Sequence, residues 1–300
     1  MRRTGFLLLL SMLLSLQHTF ADVAVFSCEP EWKALAEEIG MDKITAFSAT
    51  TAGQDPHHIQ ARPSLIAKLR RTDLLICSGA DLEAGWLPLL LRRARNPRVQ
   101  PGQAGHLMAS DHVTLLEVPE RLDRSEGDIH AQGNPHVHLD PRNILSVARV
   151  LSERLAEIDP ENAEHYRSRL MAFRKRWMEA VAIWKARADA LRGKTVVVHH
   201  REWLYLLNWL GMERLAALEP KPGLPPSAGH LAGLQAKLER QKPLAIIRSP
   251  ISDSGPSKWL ANRTGVAQLV LPYTVGGTKD IKDLFSLFED IVTQLARVNS

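Results

Sequence analysis

Cysteine and net charge are both scarce in this chain, and no long hydrophobic run follows its first twenty or so residues. The 300 residues include two cysteines and carry a formal net charge of +5 at pH 7. A balance this mild, without a basic stripe interleaved with aromatics, argues against nucleic-acid binding. The composition, 45% hydrophobic and 24% charged, is that of a soluble globular protein. The length is sufficient for one large domain or for two lobes with real cores.

Several common catalytic signatures are also missing. The sequence has no His-Glu-x-x-His, no Gly-x-Ser-x-Gly, no phosphate-binding glycine-rich loop and no Cys-x-x-Cys. These absences argue against the metalloprotease, serine-hydrolase, nucleotide-binding and dithiol classes that carry them.

The first 21 residues have the pattern of a secretory signal peptide. Arg2 and Arg3 precede an apolar core at 6–16, and small residues lead up to Ala21. The apolar run of about 11 residues is shorter than the roughly 20 needed to span a bilayer. We expect cleavage near Ala21 and export of the remainder, with an uncleaved membrane anchor as the alternative.

The two cysteines each follow a short apolar run. Cys28 comes after 23–26 and Cys77 after 74–76, so both are expected at the ends of strands. In an oxidising compartment they would pair as a disulfide, and otherwise they would be two buried thiols.

Short apolar strands alternate with helical patterns along both halves of the chain. Strands are predicted at 23–26, 44–48, 73–77, 194–198, 215–218, 244–247 and 268–271, and a further short strand is predicted at 113–118. Helices are predicted at 32–39, 64–71, 82–95, 141–158, 203–210, 228–241, 257–264 and 280–298. The alternation predicts an α/β fold with mainly parallel sheets.

One helical stretch is much longer than the others. From Pro160 to Leu191 no further proline or any glycine interrupts the pattern, and apolar residues recur every three to four positions. Such a helix would be about 45 Å long at 1.5 Å per residue. We therefore expect it to span two lobes.

Three histidine pairs follow predicted strands or stand in a rigid turn. They are His57-His58, His136-x-His138 between two prolines, and His199-His200. Ligands of open α/β sheets bind beyond the carboxyl ends of strands, so the three segments could converge on one cleft. Imidazole nitrogens suit zinc better than calcium or magnesium, which prefer oxygen ligands. The pattern therefore favours a transition-metal site.

A carboxylate near one of these pairs leaves an enzymatic function open. Glu202 would serve as the base for a metal-activated water in a zinc-dependent hydrolase. In the simpler interpretation, Glu202 is a solvated carboxylate at a helix start.

With these residues in view, the chain resembles the metal-binding receptors of bacterial zinc and manganese ABC importers, the ZnuA/TroA-like solute-binding family. The resemblance covers essentially the whole mature chain. The segments that carry it are Asp55-Pro56-His57, Arg62-Pro63-Ser64, Thr72 to Ile76, Asn134 to Pro141, His200 with Trp203 and Tyr205, Pro226-Ser227, and Leu260-Ala261 with Thr264-Gly265. The motif at 134–141 departs in one place, because the family usually has an aromatic residue where His138 stands.

The resemblance implies the fold and the principal ligands. It implies two α/β lobes, at 22–159 and 193–300, joined by one long rigid helix at 160–192. It also implies that His57, His136 and His200 bind the metal. The neighbouring His58, His138 and His199 are then alternative ligands or supporting residues.

The fourth ligand is where the chain departs from the family. An Asp or Glu usually comes from the loop after the last strand, but Val270 to Gly277 contains no carboxylate. The segment between Asp123 and Asn134 contains a single histidine, His130. Water, His130, Glu219 and Asp253 are therefore the candidates.

We expect a periplasmic solute-binding protein that captures a divalent transition metal and delivers it to an ABC-transporter permease. Zinc is the expected metal and manganese the alternative. The resemblance implies a receptor rather than an enzyme, acting as a monomer. Two further hypotheses are the zinc-dependent hydrolase and an adhesin or metal store that works without a permease.

Overall fold

The computed structural model describes residues 22–119 and 130–299. The predicted signal peptide at 1–21 lies outside these ranges. Among the described helices, none combines the length and the apolar character that a membrane span requires.

Four parallel strands form the sheet of the first half, in the order β2-β1-β3-β4. The strands are β1 Val23–Ser27, β2 Ile44–Ser48, β3 Leu74–Cys77 and β4 His106–Met108. The helices of this half are α1 Pro30–Gly40, α2 Pro63–Arg70, α3 Leu87–Ala94 and α4 Pro141–Ile158. All four helices have a proline in their first turn, where its missing N–H costs nothing and its fixed φ suits a helix. β3 is buried along its whole length, as its continuous apolar sequence requires.

The second half repeats this arrangement with the strand order β6-β5-β7-β8, again all parallel. The strands are β5 Thr195–Val198, β6 Glu213–Ala217, β7 Ile246–Arg248 and β8 Gln268–Val270. The helices are α6 Leu204–Leu210, α7 Ala228–Arg240, α8 Ser254–Thr264 and α9 Leu284–Asn299. The α/β architecture with two mainly parallel sheets is thus confirmed.

A single long helix connects the halves. α5 Ala163–Arg187 has 25 residues, which is about 37 Å of helix. Short 3-10 turns at 160–162 and 189–191 flank it, so the predicted stretch is helical but not one uniform α-helix. α5 packs against α1 and α4 of the first half and against α9 of the second, so one helix contacts both halves.

Two predicted elements are wrong in detail. No strand forms at 113–118, because the backbone there bonds elsewhere: Leu116 N donates to the Tyr205 hydroxyl, and Leu116 O accepts from Asn134 N. The helix predicted from residue 82 starts at Leu87, because Trp86, with a φ of −142°, lies outside the helical region and Pro88 has no N–H to bond a preceding turn.

The two cysteines form a disulfide. Cys28 and Cys77 lie just after β1 and at the end of β3, which are neighbouring strands, and their sulfurs are bonded. The bond therefore fixes the carboxyl ends of the two central strands, next to the loops that bear the histidines.

Candidate metal centre

His57 lies in the loop that follows β2, with its ring held by a carboxylate two residues earlier. Asp55 Oδ1 accepts a hydrogen bond from the His57 backbone N–H at 3.0 Å and lies 2.7 Å from His57 Nδ1. Burial alone would raise the pKa of Asp55, but the hydrogen bonds from His57 outweigh burial and lower the pKa to about 2. An ionised carboxylate can only accept, so Nδ1 carries the proton and Nε2 keeps its lone pair.

His136 lies in the proline-bounded turn before α4 and is almost completely buried, with 2% exposure. Asn134 fixes this turn: its Oδ1 accepts from His136 N at 3.1 Å, and its amide donates to Arg201 O in the other half. The ring Nδ1 lies 3.0 Å from the hydroxyl of Tyr273, while Nε2 has no hydrogen-bond partner among the described residues. Burial, followed by the nearby His57 and His200, lowers the pKa of His136 well below its usual value. This histidine is therefore neutral and has one nitrogen free.

His200 follows β5 and is held from behind by Glu219, which follows β6. Glu219 Oε2 lies 2.7 Å from His200 Nδ1 and also accepts from Gly223 N at 2.9 Å. Burial would raise the pKa of Glu219, but the hydrogen bond from His200 lowers it, so the carboxylate is ionised. As at His57, Nδ1 is the donor and Nε2 is left free.

The three histidines meet at one point between the two halves. One ring nitrogen of each lies within 4.8 Å of a ring nitrogen of the other two. The ring centroids are 5.6 Å apart for His57 and His136, 5.9 Å for His57 and His200, and 5.7 Å for His136 and His200. Because every Nδ1 is engaged, the nitrogens left to converge are the three Nε2 atoms. In their neutral form, three imidazoles whose Nδ1 atoms are bonded to neighbouring groups are the usual donor set of a transition-metal site.

His130 is the nearest additional donor. Its Nε2 lies 3.2 Å from the Nε2 of His57, and the two ring centroids are 5.2 Å apart. Burial, together with the nearby His57 and His200, lowers the pKa of His130 to about 4. His130 is thus a neutral imidazole at the edge of the cluster.

The remaining predicted candidates lie near the cluster without joining it. Glu219 supports His200, and Asp253 caps α8 by accepting from Gly255 N at 2.9 Å. His58 and His199 line the adjacent cavity, and Nε2 of His199 is 3.8 Å from Glu219 Oε1. His138 points away, with its Nε2 3.1 Å from the Tyr273 carbonyl oxygen.

A cavity of about 360 Å³ opens beside the cluster, between the halves. His57, His136 and His200 line it, together with Glu202, Ser249 and Tyr273. Glu202 is buried, and burial raises the pKa of its carboxyl. A second cavity of about 290 Å³ is lined by His130, His136 and His200.

Sequence reasoning misses one residue of this site. Tyr273 belongs to a loop that attracts notice only for lacking a carboxylate, yet its hydroxyl contacts the most buried histidine, 137 residues earlier in the chain. Its position three residues after β8 is the signal that could have found it, since side chains beyond the carboxyl ends of parallel strands face the cleft.

Comparison with known proteins places the chain among metal receptors. A family model described as the periplasmic zinc-uptake complex component A matches residues 25–298. The high-affinity zinc uptake system protein ZnuA of Yersinia pestis is 24% identical over 214 residues, 66% of this chain and 66% of that protein. The metal ABC transporter substrate-binding lipoprotein ScbA of Streptococcus cristatus is 28% identical over 142 residues, 46% of this chain and 43% of that protein. The iron ABC transporter substrate-binding lipoprotein MtsA of Streptococcus pyogenes is 22% identical, with 77% of this chain and 73% of that protein covered.

Solved structures show the same fold. A crystal structure of ZnuA superposes with a TM-score of 0.79 at 20% identity and covers 93% of this chain and all of that one. A manganese-bound periplasmic metal-binding protein from Candidatus Liberibacter asiaticus gives 0.76 at 18% identity, with 92% and 99% covered. At these identities the likeness establishes the two-lobed architecture alone.

Proposed function

The chain belongs to the family of the periplasmic zinc-uptake complex component A, and from that premise we propose that it captures zinc in the cleft between its lobes and delivers it to an ABC permease. The family consists of solute-binding receptors of ABC transporters rather than enzymes. The hydrolase hypothesis is therefore not supported. The chain aligns with about two thirds of the Yersinia relative and less than half of the ScbA relative, so the activity of those whole proteins enters here as part of the proposal.

The observation that supports the proposal most directly is the convergence of His57, His136 and His200 with their Nδ1 atoms engaged. Neutral imidazole is a borderline ligand that suits zinc, whereas a site for a hard cation would be built from oxygens. Two of the three supporting groups, Asp55 and Glu219, are carboxylates, which orient the rings and raise their basicity. Manganese is the alternative cargo, since a periplasmic metal-binding protein of the same fold was solved with manganese bound.

For the fourth position we propose His130. Two nitrogens bound to one tetrahedral zinc at about 2.0–2.1 Å are roughly 3.3 Å apart, and the Nε2 atoms of His57 and His130 are already 3.2 Å apart. Glu219 and Asp253 are less suitable, because their carboxylates already serve His200 and the start of α8. With His130 the site has four nitrogens, which favours zinc over manganese.

We further propose that the lobes are 22–159 and 193–300, joined by the segment 160–192. Relatives of this family are named as periplasmic proteins or lipoproteins, and we propose export of this chain to the periplasm with cleavage near Ala21. It would act as a monomer that releases its metal to the membrane permease.

Zinc titration of the exported chain and its variants tests the proposal. His57→Ala, His136→Ala and His200→Ala should each weaken zinc binding by more than 100-fold, beyond the roughly 10–100-fold that loss of a supporting group costs. His130→Ala should cause a smaller loss. His165→Ala is the matched control, because this ring in α5 bonds the Gly40 carbonyl at the C-terminal end of α1, and the variant should bind zinc as tightly as the wild type does. If His136→Ala binds zinc as well as the wild type does, the proposed site is wrong.

A further inference from the structure

Tyr273 differs from the two other groups that support the histidine cluster. His57 and His200 each have a carboxylate against Nδ1, whereas His136 has the neutral phenol of Tyr273 at 3.0 Å. Tyr273 is buried, with 6% exposure, and its ring packs edge-on against His136, with centroids 5.7 Å apart. The residue comes from the second half of the chain and the histidine from the first. The contact therefore joins the lobes at the ligand that is most deeply buried.

The backbone of Tyr273 is fixed by a second histidine of the same motif. His138 Nε2 lies 3.1 Å from the Tyr273 carbonyl oxygen, and the two rings meet at 89° with centroids 5.1 Å apart. His138 is fully buried, so it cannot exchange this contact for water. The two histidines of the motif thus hold Tyr273 at both ends, one at the hydroxyl and one at the carbonyl.

A buried carboxylate closes the arrangement into a ring of contacts. Glu31 in α1 is fully buried; its Oε1 lies 3.2 Å from His138 Nδ1, and its Oε2 accepts a hydrogen bond from the Thr274 hydroxyl. Since Thr274 follows Tyr273 directly, the loop after β8 is held by α1 and by the histidine turn together. With contacts at its hydroxyl, at its carbonyl and at the residue that follows, Tyr273 has little freedom to move. Buried polar groups in such a network are also costly to displace.

The hydroxyl of Tyr273 is placed to act through His136 rather than on the metal. It contacts Nδ1, and the nitrogen that faces His57 and His200 is Nε2, on the far side of the ring. For Nε2 to offer its lone pair, Nδ1 must carry the proton and needs an acceptor inside a buried site. The phenol oxygen supplies that acceptor.

We propose that Tyr273, held by His138, Glu31 and Thr274, is a positioning residue that fixes the ring of His136 and its Nδ1–H tautomer for metal capture. The inference rests on the proposed function and names a determinant of affinity in a loop where the chain has no carboxylate. It also gives His138 a role, as the side chain that holds Tyr273 from the ligand turn.

The test compares zinc affinity of the wild type with that of Tyr273→Phe. Phenylalanine keeps the ring and its packing and removes only the acceptor. We expect a 10–100-fold weaker zinc Kd with one metal still bound per chain. Tyr166→Phe is the matched control: this buried tyrosine in α5 donates to Asp159 Oδ2 at 2.7 Å, away from the cavity, and its loss should leave zinc affinity unchanged. Equal affinity of Tyr273→Phe and the wild type would overturn the inference.

A spectroscopic readout separates positioning from a general loss of stability. In the zinc-bound wild type, the imidazole Nδ1–H of His136 should give a slowly exchanging proton resonance in NMR spectra with ¹⁵N-labelled histidine. In zinc-saturated Tyr273→Phe this proton should exchange rapidly, and in Tyr166→Phe it should stay protected. Protection retained in Tyr273→Phe would contradict the proposed acceptor role.

A double variant tests whether the hydrogen bond between Thr274 and Glu31 acts on the metal site through Tyr273. Thr274→Val removes the hydrogen bond to Glu31 and should weaken zinc binding less than Tyr273→Phe does. Because Thr274→Val acts through Tyr273, the double variant should differ from Tyr273→Phe by less than about 2-fold in zinc Kd. If the two substitutions acted independently, their effects on the binding free energy would add. Fully additive effects would reject the linkage.

Comparing His136→Ala with Tyr273→Phe separates failure of this inference from failure of the proposed function. If His136→Ala loses zinc and Tyr273→Phe does not, the metal site stands and this inference falls. If His136→Ala also binds normally, the metal site itself is wrong.

Discussion

The three histidines each leave Nε2 free, but the groups that contact their Nδ1 atoms differ in charge. Asp55 and Glu219 are ionised carboxylates whose pKa values are held down by their histidines. Burial raises the pKa of Tyr273, which keeps the phenol behind His136 neutral. An anionic partner strengthens the nitrogen as a metal ligand and also strengthens its hold on a proton. The residues that favour capture at neutral pH are therefore the ones through which acid would release the metal.

The effect of pH should be strongest at His200. Burial alone would lower its pKa, but the hydrogen bond to Glu219 and the nearby charge of Glu202 raise it above the ordinary value of 6.5. A protonated imidazole cannot bind a metal, so zinc affinity should fall as pH decreases through this raised pKa, starting above pH 6.5. Glu219→Gln should shift the midpoint of this fall to lower pH and weaken binding roughly 10–100-fold at pH 8.

Zinc Kd values measured from pH 5.5 to 8 would check this expectation. Glu213→Gln is the control, because this exposed carboxylate on β6 should leave the curve unchanged. A midpoint that stays in place in Glu219→Gln would argue against the role assigned to Glu219.

For individual residues, the sequence is sufficient to predict the three histidines that converge, but not every group that contacts their Nδ1 atoms. His57, His136 and His200 stand in short motifs beside prolines or strand ends, and local patterns of this kind can be recognised without a structure. Tyr273 contacts a residue 137 positions away, and no local pattern encodes such a pair. Asp55 is within reach of sequence reasoning, because it lies two residues before its histidine.

Among the secondary-structure elements, β1 and β3 are the most strongly restrained at their carboxyl ends. The disulfide of Cys28 and Cys77 joins them, and two buried carboxylates lie beside it. Oxygens of both Glu29 and Glu83 accept hydrogen bonds from Ser78 N, at 3.2 and 2.8 Å. The carboxyl ends of β1 and β3 therefore combine a disulfide with a buried pair of glutamates.

Removing the disulfide should destabilise the protein by a predictable amount. The bond closes a loop with a sequence separation of 49 residues, and the entropy of such a loop in the unfolded chain corresponds to about 4 kcal/mol. Cys28→Ala/Cys77→Ala should lower the free energy of unfolding by that amount in urea titrations. The reduced wild type should behave like the double variant, and a loss below about 1 kcal/mol would show that the bond is not a main restraint.

The acidic pair should make stability depend on pH in an unusual direction. Burial first, and then the charges of Glu83 and Glu31, raise the pKa of Glu29 well above 4.5. The folded state then holds a proton that the unfolded chain has lost, so stability should fall as pH rises from 4.5 through the raised pKa. Glu29→Gln imitates the protonated form and should be more stable than the wild type at pH 8.

Urea denaturation at pH 5 and pH 8 measures this difference. Glu37→Gln, on the exposed side of α1, is the control and should keep the pH dependence of the wild type. If the wild type is equally stable at both pH values, the charges of Glu29 and Glu83 do not destabilise the folded state.

Elements are predicted well where one periodicity dominates and poorly where side chains dictate the backbone. The alternation of apolar strands and helical patterns predicts the architecture of both halves correctly. The strand expected at 113–118 does not form, because the Tyr205 hydroxyl and Asn134 take up the backbone groups of Leu116. Intrinsic strand propensities do not describe hydrogen bonds to such distant residues.

The whole molecule is built around α5, which packs against both lobes. Trp177 and Trp184 on α5 contact Phe285 and Phe288 on α9, with centroid distances of 4.9–6.5 Å. α5 also packs against α1 and α4. The contact between Glu31 and Thr274 adds a buried link between the lobes near the cleft. Closure of the lobes as rigid bodies would have to break these contacts.

We therefore expect zinc to change the overall dimensions very little. X-ray scattering should give a radius of gyration of about 19 Å, the value for a compact chain of this length, with and without zinc. His136→Ala, which should not bind, is the control for any effect of the ion itself. A decrease of several ångströms on adding zinc would show that the lobes close and that α5 is not a rigid connection.

If the proposed site is right, the three Nε2 atoms of His57, His136 and His200 hold one metal ion between the lobes. A crystal grown with zinc and measured on both sides of the zinc absorption edge tests it directly. We predict one strong anomalous peak about 2.0–2.1 Å from all three Nε2 atoms, with His130 as the fourth ligand. A peak bound through Nδ1, or a principal zinc site at residues other than these, would contradict it.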